Sequence, residues 1–297
     1  MVVGVALLLA CGSFFGRARP AYASGCNTGG PTMFVHTATS ANTVGDYTFF
    51  TEYQDCSYAG VFVTANWNPG GVYKGFDNHP VGVWFSPTHE WAIINEDGAP
   101  MPIGASFNVY MISPMSQSPN PYSMVQTATP ANVSGGYITF IDDQMLNNNP
   151  SAILMVTQDL SYGGYSPIVN PHEIGIWYDS WIGKWAIYNE DKSQIPNGAQ
   201  FNVMLLSQSG LFPDGFTQVA TSSNTSGDST CINNILSNSN PNALIFIMHE
   251  YSGYFTDESA VWYNASLSEW CIFDGSYNSM PQGATFAVGL PSGTLLS

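Results

Sequence analysis

The chain has 297 residues and carries only five Lys and Arg against 21 Asp and Glu, a formal charge of −16. So few cations exclude a nucleic-acid-binding surface, which needs a basic face to neutralise phosphates. Aromatic residues make up 14% of the chain, a content that excludes an intrinsically disordered protein. The interior also lacks the repeated runs of roughly 20 apolar residues that a multi-span membrane protein requires.

The amino terminus predicts export. Residues 1–10 are almost wholly apolar, and Ala21 and Ala23 place small residues at the −3 and −1 positions of a signal-peptidase site. We therefore expect residues 1–23 to be a signal peptide and the mature protein to be secreted or held at the cell surface, with no membrane span. A lipoprotein cleavage before Cys11 is the alternative. The mature chain would keep three lysines against 21 acidic residues, a formal charge of −18.

The main feature of the chain is an internal repeat of about 85–94 residues. The block His36-Thr-Ala-Thr-Ser-Ala-Asn recurs twice with its asparagine, and so does Gly82-Val-Trp-Phe. A second tryptophan and a closing Pro-Xaa-Gly-Ala-Xaa-Phe block follow in each case. Five blocks in one order predict three copies of a single unit.

Each copy is predicted to be β-structured. Residues 60–64 are continuously apolar, as in a strand buried on both faces, and residues 81–85 and 91–95 flank a short turn, as in a hairpin. The fold class is therefore all-β, with three tandem homologous β-sandwich domains of about 80 residues. We expect an N-terminal extension at 24–32 and sandwiches at 33–113, 122–206 and 215–292, joined by short linkers, so that neighbours touch.

The two tryptophans of each copy are expected to fill its core, because a small sandwich needs large apolar side chains. Trp67 and Trp181 lack counterparts in the other copies, so we expect them to be exposed.

Four cysteines remain in the mature chain, and an even number in an exported protein favours disulfides. Cys231 stands where copies one and two have Phe, and Cys271 stands where they have Ala. A large–small pair that becomes Cys–Cys predicts facing positions on adjacent strands. We therefore expect a Cys231–Cys271 disulfide, which leaves Cys26 to pair with Cys56.

Two kinds of residue are candidates for a metal site. Imidazole or carboxylate side chains lie five residues before the first tryptophan of each copy, and Asn, Glu and Asp follow the second. Oxygen-rich acidic loops suit Ca²⁺, whereas the same residues also make ordinary tight turns. The candidate ligands are His79, Glu96, Asp97, His172, Glu190, Asp191, Asp257 and Asp274.

The segment after the buried strand varies most between copies and is rich in aromatic residues, Asn and Gly. Aromatic rings stack on the apolar faces of sugars, and variable loops on a constant frame are common binding sites. The candidate ligand-binding residues are Trp67, Tyr73, Phe76, Tyr162, Tyr165, Tyr251 and Tyr254.

Catalytic patterns are lacking. The chain contains no G-x-S-x-G elbow, H-E-x-x-H motif or phosphate-binding loop. We therefore expect no enzyme. A secreted glycoside hydrolase remains an alternative, because its two carboxylates leave no motif in a sequence.

The blocks quoted above, with Trp91-Ala-Ile-Ile-Asn-Glu-Asp and Met101-Pro-Ile-Gly-Ala-Ser-Phe-Asn-Val, resemble a tandem β-rich repeat of secreted bacterial proteins whose function is unknown. The resemblance implies an exported module and brings no catalytic or ligand-binding residues. Copy three departs from the pattern at Val219 and Cys271. It also lacks the Glu-Asp pair that follows the second tryptophan in the other two copies.

The first functional expectation is an exported structural or adhesive protein that associates with itself, as a filament or surface layer. Unpaired sheet edges, or residues 24–32, would pair with a neighbouring molecule. The alternative is a carbohydrate-binding module that uses the aromatic loops and binds extracellular glycans.

Overall fold

The computed structural model describes residues 31–112, 122–160, 167–206 and 215–290. The predicted signal peptide, nearly all of the N-terminal extension and both linkers lie outside these ranges. Strands account for the regular structure, and the only helical element described is a 3₁₀ turn over Pro69–Gly71. No helix in the described ranges could therefore cross a membrane. The prediction of an all-β fold is confirmed.

Each copy contributes seven strands in the same order. In copy one they are β1 (Thr32–Thr37), β2 (Thr43–Val44), β3 (Tyr47–Phe50), β4 (Gly60–Ala65), β5 (Val81–Phe85), β6 (Trp91–Asn95) and β7 (Ser106–Ile112). In copy two they are β8 (Tyr122–Thr127), β9 (Val133–Ser134), β10 (Ile138–Phe140), β11 (Leu154–Asp159), β12 (Ile174–Asp179), β13 (Lys184–Asn189) and β14 (Gln200–Leu205). In copy three they are β15 (Phe216–Val219), β16 (Thr225–Ser226), β17 (Ser229–Ile232), β18 (Phe246–Glu250), β19 (Ser259–Asn264), β20 (Glu269–Asp274) and β21 (Thr285–Gly289).

Within a copy the strands form two sheets around one core. The first, seventh and fourth strands make an antiparallel three-stranded sheet, and the second, third, sixth and fifth make a four-stranded one. The second tryptophan fills the space between the sheets, and all three of these indoles are almost fully buried. Each indole N–H donates to a backbone oxygen, that of Cys56, Asn149 or Asn240.

The sheets continue from one copy into the next, which the sequence did not indicate. β5 of copy one pairs in parallel with β11 of copy two, and β12 of copy two pairs with β18 of copy three. Two seven-stranded sheets result. The last four-stranded sheet meets β4 through a parallel bridge between Asn66 and Val261. The three copies therefore form a closed ring.

Equivalent backbone hydrogen bonds mark the three junctions of the ring. The amide of Leu160 donates to Val83 at 2.9 Å, that of Tyr251 to Ile176 at 2.8 Å and that of Trp67 to Val261 at 2.9 Å. At the third junction the side chain of Asn68 also bonds to both backbone groups of Tyr263, at 2.6 and 2.9 Å. At this junction the side chain of Asn68 therefore makes hydrogen bonds that a further pair of backbone groups would otherwise make.

Polar side chains from one copy form hydrogen bonds with backbone groups at the inner edge of the fourth strand of another copy. Thr157 accepts a hydrogen bond from the Val63 amide, and Asn202 donates to the carbonyl of Val61. In the same way, Thr64 accepts a hydrogen bond from the Ile247 amide, and Asn108 donates to the carbonyl of Ile245. Copy three carries Met248 and Ala287 at the equivalent positions, whose side chains offer no such bonds. The ring is therefore built from related but unequal contacts.

The repeated Thr-Xaa-Xaa-Asn blocks have a structural role. In each copy the asparagine side chain accepts a bond from a backbone amide three residues earlier and donates to a carbonyl five residues earlier, which fixes the turn into the second strand. The closing blocks place Gly104, Gly198 and Gly283 at φ of +97°, +91° and +88°, which glycine adopts without strain. These motifs therefore have a structural role in the turns of each copy.

The predicted disulfide is confirmed. Cys231 and Cys271 lie opposite each other on β17 and β20 and are bonded, with their Cα atoms 3.9 Å apart. Cys56 is also disulfide-bonded, and Cys26, its predicted partner, lies outside the described residues.

Two predictions about tryptophan need correction. Trp84, Trp177 and Trp262 are half-buried on the outer faces of the sheets, because they alternate with inward-facing neighbours such as Val83. Trp67 is not exposed, because it packs against Trp262 at a ring distance of 5.8 Å. Trp181 is 96% exposed, as predicted.

Candidate functional site

The variable loops lie at the junctions between copies. Because the fourth strand of one copy pairs with the fifth strand of another, the loop that follows it runs over that copy's hairpin. The amide of Asn170 in copy two donates to Glu96 of copy one, and the amide of Phe255 in copy three donates to Glu190 of copy two. The described residues of these loops therefore contact a neighbouring copy.

One junction leaves an open cleft, which we call the junction cleft. It lies between copies two and three and has a volume of about 140 Å³. Tyr251 and Tyr254, two predicted ligand-binding residues, lie here with their rings 5.3 Å apart. Four lining residues were not predicted. The lining consists of Tyr137, Ile138, Trp177, Tyr188, Tyr251 and Tyr254.

A buried glutamate anchors this cleft from behind. Glu190 is 1% exposed and accepts hydrogen bonds from the Tyr188 hydroxyl at 2.9 Å, from the Phe255 amide at 2.8 Å and from Nδ1 of His249. Burial and the neighbouring Glu190 carboxylate raise the pKa of Tyr188 above its ordinary value, so the hydroxyl stays a donor. Glu190 thereby ties the copy-three loop to the copy-two sheet.

A lysine stands at the rim of the cleft. The ammonium of Lys192 lies 4.0 Å from the centroid of the Tyr254 ring, a cation–π contact. Hydrogen bonding with Tyr137 raises the pKa of Tyr254, so this ring is neutral. Among the described residues no carboxylate lies within ion-pair distance of Lys192, whereas Lys184 pairs with Asp142 at 2.9 Å.

Of the other predicted aromatic residues, those that the structure describes do not form an open site. Trp67 and Phe76 pack against Phe273 of copy three at ring distances of 5.5 and 5.0 Å, which fills that junction. Tyr73 lies beside Trp67 and is 62% exposed. Tyr162 and Tyr165 lie outside the described residues.

The predicted metal ligands are distributed in pairs. His79 bonds to Asp97 at 2.7 Å, His172 to Asp191 at 2.9 Å, and Asp257 to the side chain of Asn278. Across the described ranges, no three His, Cys, Asp or Glu side chains form a cluster that could hold a metal ion. Glu96 and Glu190 point into the protein, and Asp274 caps the Ser276 amide. Calcium binding stays a prediction.

A second acidic feature was not predicted. Glu173 and Glu258, from copies two and three, are hydrogen-bonded to each other beside a cavity of about 60 Å³ that residues of all three copies line. Copy one has Pro80 at the equivalent position. Burial raises the pKa of Glu173 to about 7 and that of Glu258 well above its ordinary value, so the pair shares a proton at neutral pH.

Comparison with known proteins gives a family but no function. No curated protein and no solved structure matches the chain. The family described as "Domain of unknown function (DUF7452)" matches three times, at residues 20–111, 114–205 and 180–290. These segments together cover nearly the whole chain: the first two span copies one and two, and the third begins within copy two and covers copy three. The chain therefore belongs to this family, as a tandem array of three copies of its domain.

Proposed function

We propose that the protein is an extracellular, non-catalytic binding protein with an adhesive role, and that the junction cleft is its ligand site. The observation that carries the proposal is the convergence of five aromatic rings from two copies on one open cleft. Tyr251 and Tyr254 are 45% and 38% exposed, and their rings lie 5.3 Å apart. Partly exposed aromatic surface in a concave site is typical of ligand binding.

The walls and the rim of the cleft contact different parts of the ligand. Ring faces pack against an apolar part of the ligand, while the hydroxyls of Tyr137 and Tyr254 and the ammonium of Lys192 are available to polar parts. Glycans are the ligand class that the sequence predicts. The export signal predicted over residues 1–23 and the Cys231–Cys271 disulfide support an extracellular site of action.

Removal of one cleft ring tests the proposal. We expect Trp177→Ala and Tyr254→Ala to weaken binding to a ligand found on an immobilised glycan and small-molecule panel by about tenfold each, since an aromatic contact contributes about 1 kcal/mol or more. Trp181→Ala is the matched control, because Trp181 is 96% exposed and lies outside the cleft. Equal binding by all three variants would contradict the assignment of the site.

Self-association is a second proposal, which the sheet edges support. β1, β8 and β15 each pair on one side only with another described strand, and strand addition uses such edges. Val35 on β1 and Val219 on β15 expose about 40% of their surface. Negative-stain microscopy of the mature protein should then show ordered polymers, whereas uniform single particles at high concentration would refute assembly.

A further inference from the structure

We infer that the group held by the junction cleft is a methylated ammonium, such as the trimethylammonium of a choline-type ligand. This inference rests on the proposed function and names the chemistry of the same site. Four properties of the cleft support it, namely its size, its lining, the charge around it and the position of Lys192.

The cleft is too small to enclose a whole sugar ring. An engineered apolar cavity of about 150 Å³ holds benzene, a molecule of six heavy atoms, and the cleft measures about 140 Å³. A trimethylammonium group with its methylene carbon has five heavy atoms, whereas a hexose has twelve. A compact group therefore fits inside, and the remainder of the ligand would lie outside.

The lining consists mainly of ring faces, and its polar groups are tyrosine hydroxyls. Five of the six lining residues are Tyr or Trp, and the sixth is Ile138. Among the residues that the structure describes, no carboxylate, amide or guanidinium lines the cleft, although such groups normally hold the hydroxyls of a sugar. The rings of Tyr188 and Tyr251 meet at 85°, and those of Tyr251 and Tyr254 at 73°. Rings set nearly perpendicular present faces in different directions, as in the aromatic cages that bind quaternary ammonium ions.

The surrounding charge favours a cation. The chain carries a formal charge of −16, and the Glu190 carboxylate lies directly behind the cleft, 2.9 Å from the Tyr188 hydroxyl. Glu250 precedes Tyr251 in the chain. A negative potential over an apolar cleft attracts a cationic ligand and repels an anionic one.

One cation of the protein, the ammonium of Lys192, already lies against a ring of the cleft. Its ammonium lies 4.0 Å from the Tyr254 centroid and has no carboxylate partner among the described residues. In a protein with 21 acidic side chains, this lysine contacts a ring face. A methylated ammonium is less strongly hydrated than a lysine ammonium and so loses less on entering the cleft.

Calorimetric titration of the full mature protein tests the inference with two ligands of equal shape. Choline and its uncharged carbon analogue 3,3-dimethylbutan-1-ol differ in the positive charge, and we expect choline to bind about tenfold more tightly. Tyr254→Ala should abolish this difference, whereas Tyr254→Phe should retain it, because phenylalanine keeps the ring face. Lys192→Met should raise the affinity for choline severalfold, since it removes a competing cation.

The outcomes separate this inference from the proposed function. Equal affinity for the two ligands, or weaker choline binding by Lys192→Met, would refute the preference for a cation while leaving the cleft as a binding site. Binding of neutral glycans alone, lost in Trp177→Ala, would refute the inference in the same way. If no ligand of any class depends on Trp177 or Tyr254, the inference and the proposed function both fail.

Discussion

Glu190→Gln is expected to lower the free energy of unfolding by about 2–4 kcal/mol, whereas Glu96→Gln should change it by less than about 1 kcal/mol. The two glutamates are equivalent in copies two and one, and both are buried. Glu190 accepts three hydrogen bonds, from Tyr188, Phe255 and His249. A glutamine there turns an amide N–H₂ towards groups that donate, so buried donors lose their acceptor.

Glu96 provides the matched control because its surroundings differ. One of its oxygens accepts the Asn170 amide, and the other has no hydrogen-bond partner. Burial raises the pKa of Glu96 well above its ordinary value, so the side chain is a neutral acid that glutamine imitates closely. Urea unfolding followed by tryptophan fluorescence measures both variants. Similar losses in the two would contradict the anchoring role of Glu190.

The protein is expected to become less stable as the pH rises from 6.5 to 8, by at least about 1.5 kcal/mol, which corresponds to a fall in Tm of about 3 °C or more. Burial raises the pKa of Asp77 and of Glu173 to about 7, and that of Glu96 and Glu258 well above the ordinary value. The described residues place no Lys or Arg in an ion pair with any of these carboxyls.

The sign follows from proton binding. Between the unfolded and folded pKa values, the folded state holds a proton that the unfolded state has released, so the free energy of unfolding falls by 1.36 kcal/mol per pH unit for each group. Asp77 and Glu173 act up to about pH 7 and together account for about 1.5 kcal/mol. Glu96 and Glu258, whose pKa values burial also raises, add to this loss. The stabilisation is fully present below the unfolded pKa and is lost as the pH rises through the folded one.

His36 has the opposite effect but at lower pH. Burial lowers its pKa to about 4, so it opposes folding only as the pH falls below about 6.5. Differential scanning calorimetry from pH 6.5 to 8 therefore avoids most of the His36 contribution. The Glu96→Gln/Glu258→Gln double variant should reduce the pH dependence and leave the part due to Asp77 and Glu173. A Tm that rises over this interval would show that the buried carboxyls are already ionised.

The sequence predicted what lies within one copy better than what lies between copies. The strands, the hairpins and the Cys231–Cys271 pair follow from alternation and from residues that change together, which are local signals. The ring depends on short parallel pairings such as Ile176 with Glu250, which leave no pattern in the side chains. Thr64 and Asn202, which satisfy the inner edges, look like ordinary polar residues of a strand.

The candidate site was only partly predictable for the same reason. Tyr251 and Tyr254 stand out because their loop is aromatic. Tyr137 and Tyr188 belong to a different copy, and the equivalent positions of the other two copies hold other residue types. Glu190 looked like a turn residue or a metal ligand, since nothing in its own segment reveals that it meets Phe255 of the next copy.

Closure through Asn66 and Val261 sets the copy number. In an open solenoid, units can be gained or lost because each addition renews the same free end. Here the last unit meets the first, so a duplication or deletion would leave two polar edges without partners. Descent from a single-unit ancestor would then require a homotrimer with the same three contacts, and the present chain would be its covalently fused descendant, free to specialise one contact as a binding site.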